Sequence, residues 1–153
     1  MTGAERRIAR EPGAGRTLAL GPNRLTWKVT GADTDGHYAL MEFVTMPGTG
    51  AGWHVHHHED ESFYVLEGTL TIYLDDQVVR AQPGSYVLIP KGLRHAFVNR
   101  GAEPVRSLII LSPAGLEGFF EAVAGPDAPR TADQLAALAK QYQLEFLEPL
   151  PAE

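Results

Sequence analysis

The chain has no cysteine among its 153 residues. Disulfides, thiolate metal sites and cysteine nucleophiles are therefore excluded, and any metal must be held by imidazole and carboxylate. Positive charge is scarce as well: 13 Lys and Arg against 19 Asp and Glu leave a formal net charge of −6. Phosphate binding needs a concentrated basic surface, so nucleic acid is not an expected partner. No apolar run approaches the roughly 20 residues of a membrane span, and no membrane association is expected. The opening stretch MTGAERRIAREPGAGRT has arginines but no apolar core region, unlike a secretory signal. Its Glu5 and Glu11 argue against a transit peptide. Residues 1–20 are expected to be a mobile arm or an edge strand lent to a partner subunit, in a protein of the cytoplasm.

What is present suits one soluble domain: 44% hydrophobic and 21% charged residues, over a length that supports a single core. From about residue 24 to 111, short apolar or alternating runs such as RLTWKVT, YALMEFVTM, SFYVLEG, TLTIYL and SYVLIP are separated by turn residues. Many short strands at near-regular spacing predict an all-β antiparallel sandwich or barrel. In TLTIYL, Leu70, Ile72 and Leu74 share one face and Thr69, Thr71 and Tyr73 the other, as in a half-buried strand. Further on, Leu116, Phe119, Phe120 and Val123 recur at helical spacing, as do Leu135, Leu138, Ala139 and Tyr142. Thr131 and Gln134 suit a capping box for the second helix. Two short helices are thus predicted, packed outside the barrel or on a neighbour.

The densest polar stretch is WHVHHHEDESFYVLEG, residues 53–68, which holds four of the six histidines. His54 and His56 are two apart and project from one face of a strand, where two imidazoles can reach one ion. HHED breaks the alternation as a turn would, and Glu61 begins the resumed strand. His57 reads as an exposed turn residue, while His58 has no clear assignment. Glu59 and Asp60 read as solvated turn residues or as acceptors that fix imidazole tautomers. A second stretch, GSYVLIPKGLRHAFVN, residues 84–99, adds His95 on a strand after a Pro90-Lys91-Gly92 turn, and Asn99, whose side chain suits closing the following turn. Arg94 and Lys91 read as solvated turn charges.

Together the two stretches resemble the motifs of the cupin superfamily. The first runs Gly48-x5-His54-x-His56-x4-Glu61-x6-Gly68, and the second Gly84-x5-Pro90-x-Gly92-x2-His95-x3-Asn99, with 15 residues between Gly68 and Gly84. The C-terminal helical segment resembles the tail of single-domain bacterial cupins, a group that includes proteins similar to quercetin 2,3-dioxygenases.

The resemblance implies a jelly-roll β-barrel over residues 21–112, with a C-terminal helical extension over 113–153. It implies one divalent transition metal per chain (Ni, Fe, Mn, Cu, Co or Zn), bound by His54, His56, Glu61 and His95. A small-molecule substrate and a homodimer are expected. The leading expectation is a quercetinase-like dioxygenase acting on a hydroxylated aromatic or enol. Glu61 would then serve as general base as well as ligand, its pKa raised by a dry pocket. The alternatives are a non-oxidative cupin of the polyketide cyclase, isomerase or lyase type, and a non-enzymatic small-molecule binder. Phe63, Tyr73, Phe97, Trp53 and Met41 are candidate pocket walls.

Overall fold

Alternating burial is the organising feature of the strands. In β3 (Ala39–Thr45), Ala39, Met41, Phe43 and Thr45 are buried while Leu40, Glu42 and Val44 are only partly covered. In β10 (Val105–Ser112) the inward set is Val105, Ser107, Ile109 and Leu111. Each strand thus offers one apolar face, and the faces must meet. The computed structural model, which describes residues 6–153, shows how. The other strands are β1 (Arg16–Leu20), β2 (Asn23–Val29), β4 (Gly50–His56), β5 (Asp60–Glu67) and β6 (Leu70–Leu74), then β7 (Gln77–Ala81), β8 (Tyr86–Ile89), β9 (His95–Val98) and β11 (Leu144–Phe146). One sheet has the order β1-β2-β3-β10-β5-β8 and the other β11-β4-β9-β6-β7.

All the strand pairs are antiparallel. From β3 to β10 the chain crosses between sheets at every connection except β6–β7, which is jelly-roll connectivity. The inner faces close on a core that includes Leu25, Met41, Phe63, Leu70, Ile72 and Leu111. The all-β jelly-roll class predicted from the sequence is the observed one.

Two motif glycines have conformational reasons. Gly68, at φ +78°, ends β5, and a Cβ there would press on Val105 and the Pro104 carbonyl. Gly92, at φ +87°, makes the turn before β9, and its N–H donates to the His56 carbonyl at 2.8 Å. That bond ties the β8–β9 turn to the end of β4. Asn99 closes the next turn as anticipated. Fully buried, it accepts from the Gly101 N–H at 2.9 Å and donates to the Thr45 and Glu103 carbonyls at 2.9 and 2.7 Å.

Of the arm expected over residues 1–20, residues 1–5 lie outside those described, and 16–20 form β1, paired with β2 of the same chain. The two predicted helices are α1 (Glu117–Ala124) and α2 (Ala132–Gln141). Thr131 caps α2 by accepting from the Gln134 N–H at 3.1 Å. The Gln134 side-chain Oε1 accepts from the Arg130 N–H at 2.8 Å rather than from that of Thr131. Beside the packing expected outside the barrel or on a neighbour, α1 reaches the barrel mouth. Leu116, at the N-terminus of α1, joins Phe119, Phe120 and Val123 in walling a cavity at the barrel mouth. β11 follows α2 and joins the second sheet beside β4, an element with no forecast in the sequence.

Candidate metal centre

His54 and His56 stand on β4, His95 on β9 and Glu61 on β5. β4 and β9 are neighbours in one sheet, with His54 opposite His95. β5 belongs to the other sheet, so Glu61 approaches from across the barrel. All four are buried, and one ligand atom from each lies within 4.8 Å of the others. The imidazole centroids are 4.2 Å apart for His54–His95, 5.1 Å for His54–His56 and 5.3 Å for His56–His95.

Hydrogen bonds at the far side of each ring decide its tautomer. His54 Nδ1 lies 2.7 Å from the Gly52 carbonyl and His95 Nδ1 lies 3.0 Å from the Leu93 carbonyl. A carbonyl only accepts, so both Nδ1 atoms carry the proton. His56 Nδ1 donates to Glu59 Oε1 at 2.6 Å. All three Nε2 atoms therefore turn lone pairs toward the centre. There His95 Nε2 meets Glu61 Oε1 at 3.2 Å and His56 Nε2 lies 3.6 Å from Glu61 Oε2. Lone pairs this close to a carboxylate repel unless a proton or a cation lies between them. Among the described residues His56 Nε2, fully buried, has no hydrogen-bond partner. Three imidazoles, one carboxylate and no thiolate suit a divalent transition ion, and the unpartnered Nε2 leaves a lone pair that such an ion could use.

The electrostatics agree with a ligand set and correct one expectation. Burial alone would raise the Glu61 pKa, but His56, His95 and His54 outweigh it and hold the carboxyl at about 2. The raised value expected from a dry pocket is not found, because the imidazoles surround the carboxylate more closely than the apolar wall does. His54 is lowered to about 4, chiefly by burial and then by His95, so it is a neutral donor at neutral pH. Burial also lowers His56, yet Glu61 and Glu59 overcome it and leave the group raised.

The remaining polar residues of the first cluster separate clearly. His57 is exposed and meets Glu145 Oε2 at 2.9 Å. His58 is half-buried beside Gly115 and is not a member of the four-residue cluster. Asp60 accepts from the Lys91 N–H at 2.9 Å. Glu59 is 1% exposed, which decides between its two readings: it is an imidazole acceptor and not a solvated turn residue. Arg94 is likewise not a free turn charge. Its guanidinium sits 4.3 Å from the Trp53 ring centre and pairs with Glu148 at 3.1 Å.

A cavity of about 490 Å³ opens over the cluster, with His54, His56 and Glu61 in its wall. Met41, Phe43, Phe97 and Ile109 line it from the barrel. Phe119, Phe120 and Phe146 line it from the C-terminal segment, whose apolar spacing was visible but whose side of the barrel was not. Of the candidate walls, Met41 and Phe97 are in place. Phe63 lies in the core behind Phe97, with ring centres 5.3 Å apart. Trp53 and Tyr73 pair with each other away from the cavity.

A jelly-roll barrel with a buried His3Glu cluster at its mouth defines a class, and sequence comparison agrees with it. The cupin domain profile matches residues 41–111. The chain is 31% identical over 109 residues to Polyketide synthase CurC of Streptomyces cyaneus, covering 71% of this chain and 69% of that protein. It is 26% identical over 116 residues to Quercetin 2,3-dioxygenase of Bacillus subtilis, covering 76% of this chain but 34% of the relative, so it spans about a third of that protein. In structure it resembles a predicted oxalate decarboxylase from Thermotoga maritima, with TM-score 0.63, 17% identity, and coverage of 70% of this chain and 99% of the other. The protein belongs to the cupin family.

Proposed function

We propose that the protein is a metal-dependent cupin enzyme, a quercetinase-like dioxygenase whose substrate is a hydroxylated aromatic or enol. The observation that carries the reading is the position of a ligand cluster in the wall of an aromatic-lined cavity. Phe43, Phe97, Phe119 and Phe146 suit a planar ring system. Among the described residues no lysine or arginine lines the cavity, so a phosphate or a second carboxylate would enter without a counter-charge. That disfavours sugar phosphates and small diacids, and favours a neutral ring with one ionisable oxygen.

His54, His56, Glu61 and His95 would hold the ion. When bound, it would supply Lewis acidity toward the substrate oxygen. The chain's own residues do the rest. Nδ1–H bonds to Gly52, Glu59 and Leu93 keep the imidazoles in one tautomer. The apolar wall excludes water. Glu61, ionised at neutral pH, is the group proposed to accept the substrate hydroxyl proton, and its pKa of about 2 makes it a weak base. Such a base is matched only to a hydroxyl already made acidic.

The relative of more similar extent is a polyketide synthase protein, which favours a second reading: Lewis-acid chemistry on a polyketide-like ring without oxygen. Oxygen uptake by protein loaded in turn with Ni, Fe, Mn, Cu, Co and Zn, against flavonols and catechols, separates the two. Uptake with a redox-active metal and none with zinc is the expected result. Absence of uptake under every combination removes the dioxygenase and leaves the non-oxidative reading. A homodimer is part of the same proposal, supported by exposed Tyr64, Tyr86 and Leu88 on the first sheet, and sedimentation analysis checks it.

A further inference from the structure

Two of the three cluster histidines have their Nδ1 protons held by backbone carbonyls two residues earlier. His56 has none. Its Nδ1 proton goes to the Glu59 side chain at 2.6 Å, from a carboxylate in the β4–β5 turn that is 1% exposed. The second oxygen of that carboxylate, Oε2, is buried without a hydrogen-bond partner among the described residues. A buried carboxylate with one contact is costly unless its partner carries positive character. The same imidazole presents an unpartnered, buried Nε2 on its other side. Two unsatisfied atoms at opposite ends of one Glu59–His56 pair are explained together if a cation binds at Nε2. Charge drawn from the ring then polarises Nδ1–H toward Glu59.

We propose that Glu59 is a positioning residue of the metal centre: it locks His56 in the tautomer that directs Nε2 inward and strengthens that nitrogen as a donor. The inference rests on the metal-centre reading above. It adds that the ligands differ, with His56 backed by a charged acceptor and His54 and His95 by neutral ones. With Glu61 in the cluster and Glu59 behind His56, two carboxylates balance a divalent ion. Outer acceptors of this kind raise ligand basicity and fix ring orientation, and their loss typically weakens metal binding 10- to 100-fold.

The test uses Glu59→Leu, which removes both acceptor and charge, and Glu59→Gln, which keeps an acceptor oxygen alone. Histidine tautomers are read by long-range 1H–15N NMR on chelator-treated protein at pH 8, and Co2+ affinity by titration of its visible absorption. In the unsubstituted protein all three cluster histidines should show Nδ1–H. In E59L His56 alone should move toward the Nε2–H form, with His54 and His95 unchanged, and Co2+ should bind 10- to 100-fold more weakly. E59Q should restore the tautomer and part of the affinity. His56 holding Nδ1–H in E59L, or Co2+ binding at full strength there, overturns the proposal. If E59L does not fold, Glu59→Asp replaces it, since the shortened carboxylate withdraws from Nδ1 and should act in the same direction. If the unsubstituted protein binds no Co2+, the metal-centre reading fails, whereas the tautomer comparison still decides whether Glu59 controls His56.

Discussion

Phe146 lies opposite His54 in the β11–β4 pair, with the two ring centres 6.2 Å apart. A three-residue strand at the end of the chain therefore places an aromatic ring beside the ligand cluster, and the same ring packs 6.2 Å from Phe119. The C-terminal segment forms part of the cavity over the His54–His56–Glu61–His95 cluster.

Phe146→Ala should accordingly leave metal content unchanged and weaken substrate binding. One aromatic contact is worth about 1 kcal/mol, or roughly five-fold in KM. Steady-state kinetics beside metal analysis check this. An unchanged KM would mean that substrate does not reach the Phe146 wall.

His95→Ala should lose most of the bound metal, because it removes one of three imidazoles and leaves Glu61 without its 3.2 Å neighbour. His57→Ala should retain the full complement, since His57 is exposed and pairs with Glu145, outside the four-residue cluster. Elemental analysis of both variants decides the matter, and equal losses would break the assignment of ligands.

The metal-free protein should weaken in mild acid. His54 titrates at about 4 in the fold against 6.5 for the free side chain. Between those values the unfolded chain takes up a proton that the folded chain refuses. The stability His54 contributes is complete above pH 6.5 and is lost as pH falls toward 4, about 3 kcal/mol over the span. His56 shifts the opposite way, so its contribution is present below 6.5 and is lost only as pH rises above that value. Glu61, lowered from 4.5 to about 2, acts below pH 4.5. The window from 4.5 to 6.5 thus belongs to His54. Urea unfolding of chelator-treated protein should show a midpoint falling with pH there, and His54→Gln should flatten the slope. An equal slope in both proteins would contradict the assignment.

Asn99→Ala should cost stability without directly touching the metal ligands. It strands the Gly101 N–H and the Thr45 and Glu103 carbonyls, which Asn99 now satisfies from a fully buried position. A loss of about 3 kcal/mol is expected, measurable by thermal or urea unfolding. Full stability in the variant would show that water replaces the side chain freely.

Much of this centre was legible because its chemistry is written in local spacing. His54 and His56 share a strand face by the two-residue period, Gly68 and Gly92 stand at strand ends where the chain turns, and Asn99 mimics a backbone bond within two residues. The all-β class followed from the same alternation. Glu59 was legible only as one of two options, since an acid in a turn can face solvent or fold back on its neighbour. Burial chose between them.

Spacing along the chain therefore determined the strand-rich class, the two helices and which side chains were candidate ligands, because each depends on periods of two or 3.6 residues and on turn geometry. Only tertiary structure decided that Glu61 crosses from one sheet to three histidines of the other, that their lone pairs converge, and that Phe119, Phe120 and Phe146 wall the cavity. Those contacts join residues far apart in the chain, such as Phe146 and His54. They are set by how two sheets and a helical segment bury their apolar faces together, which no local period encodes.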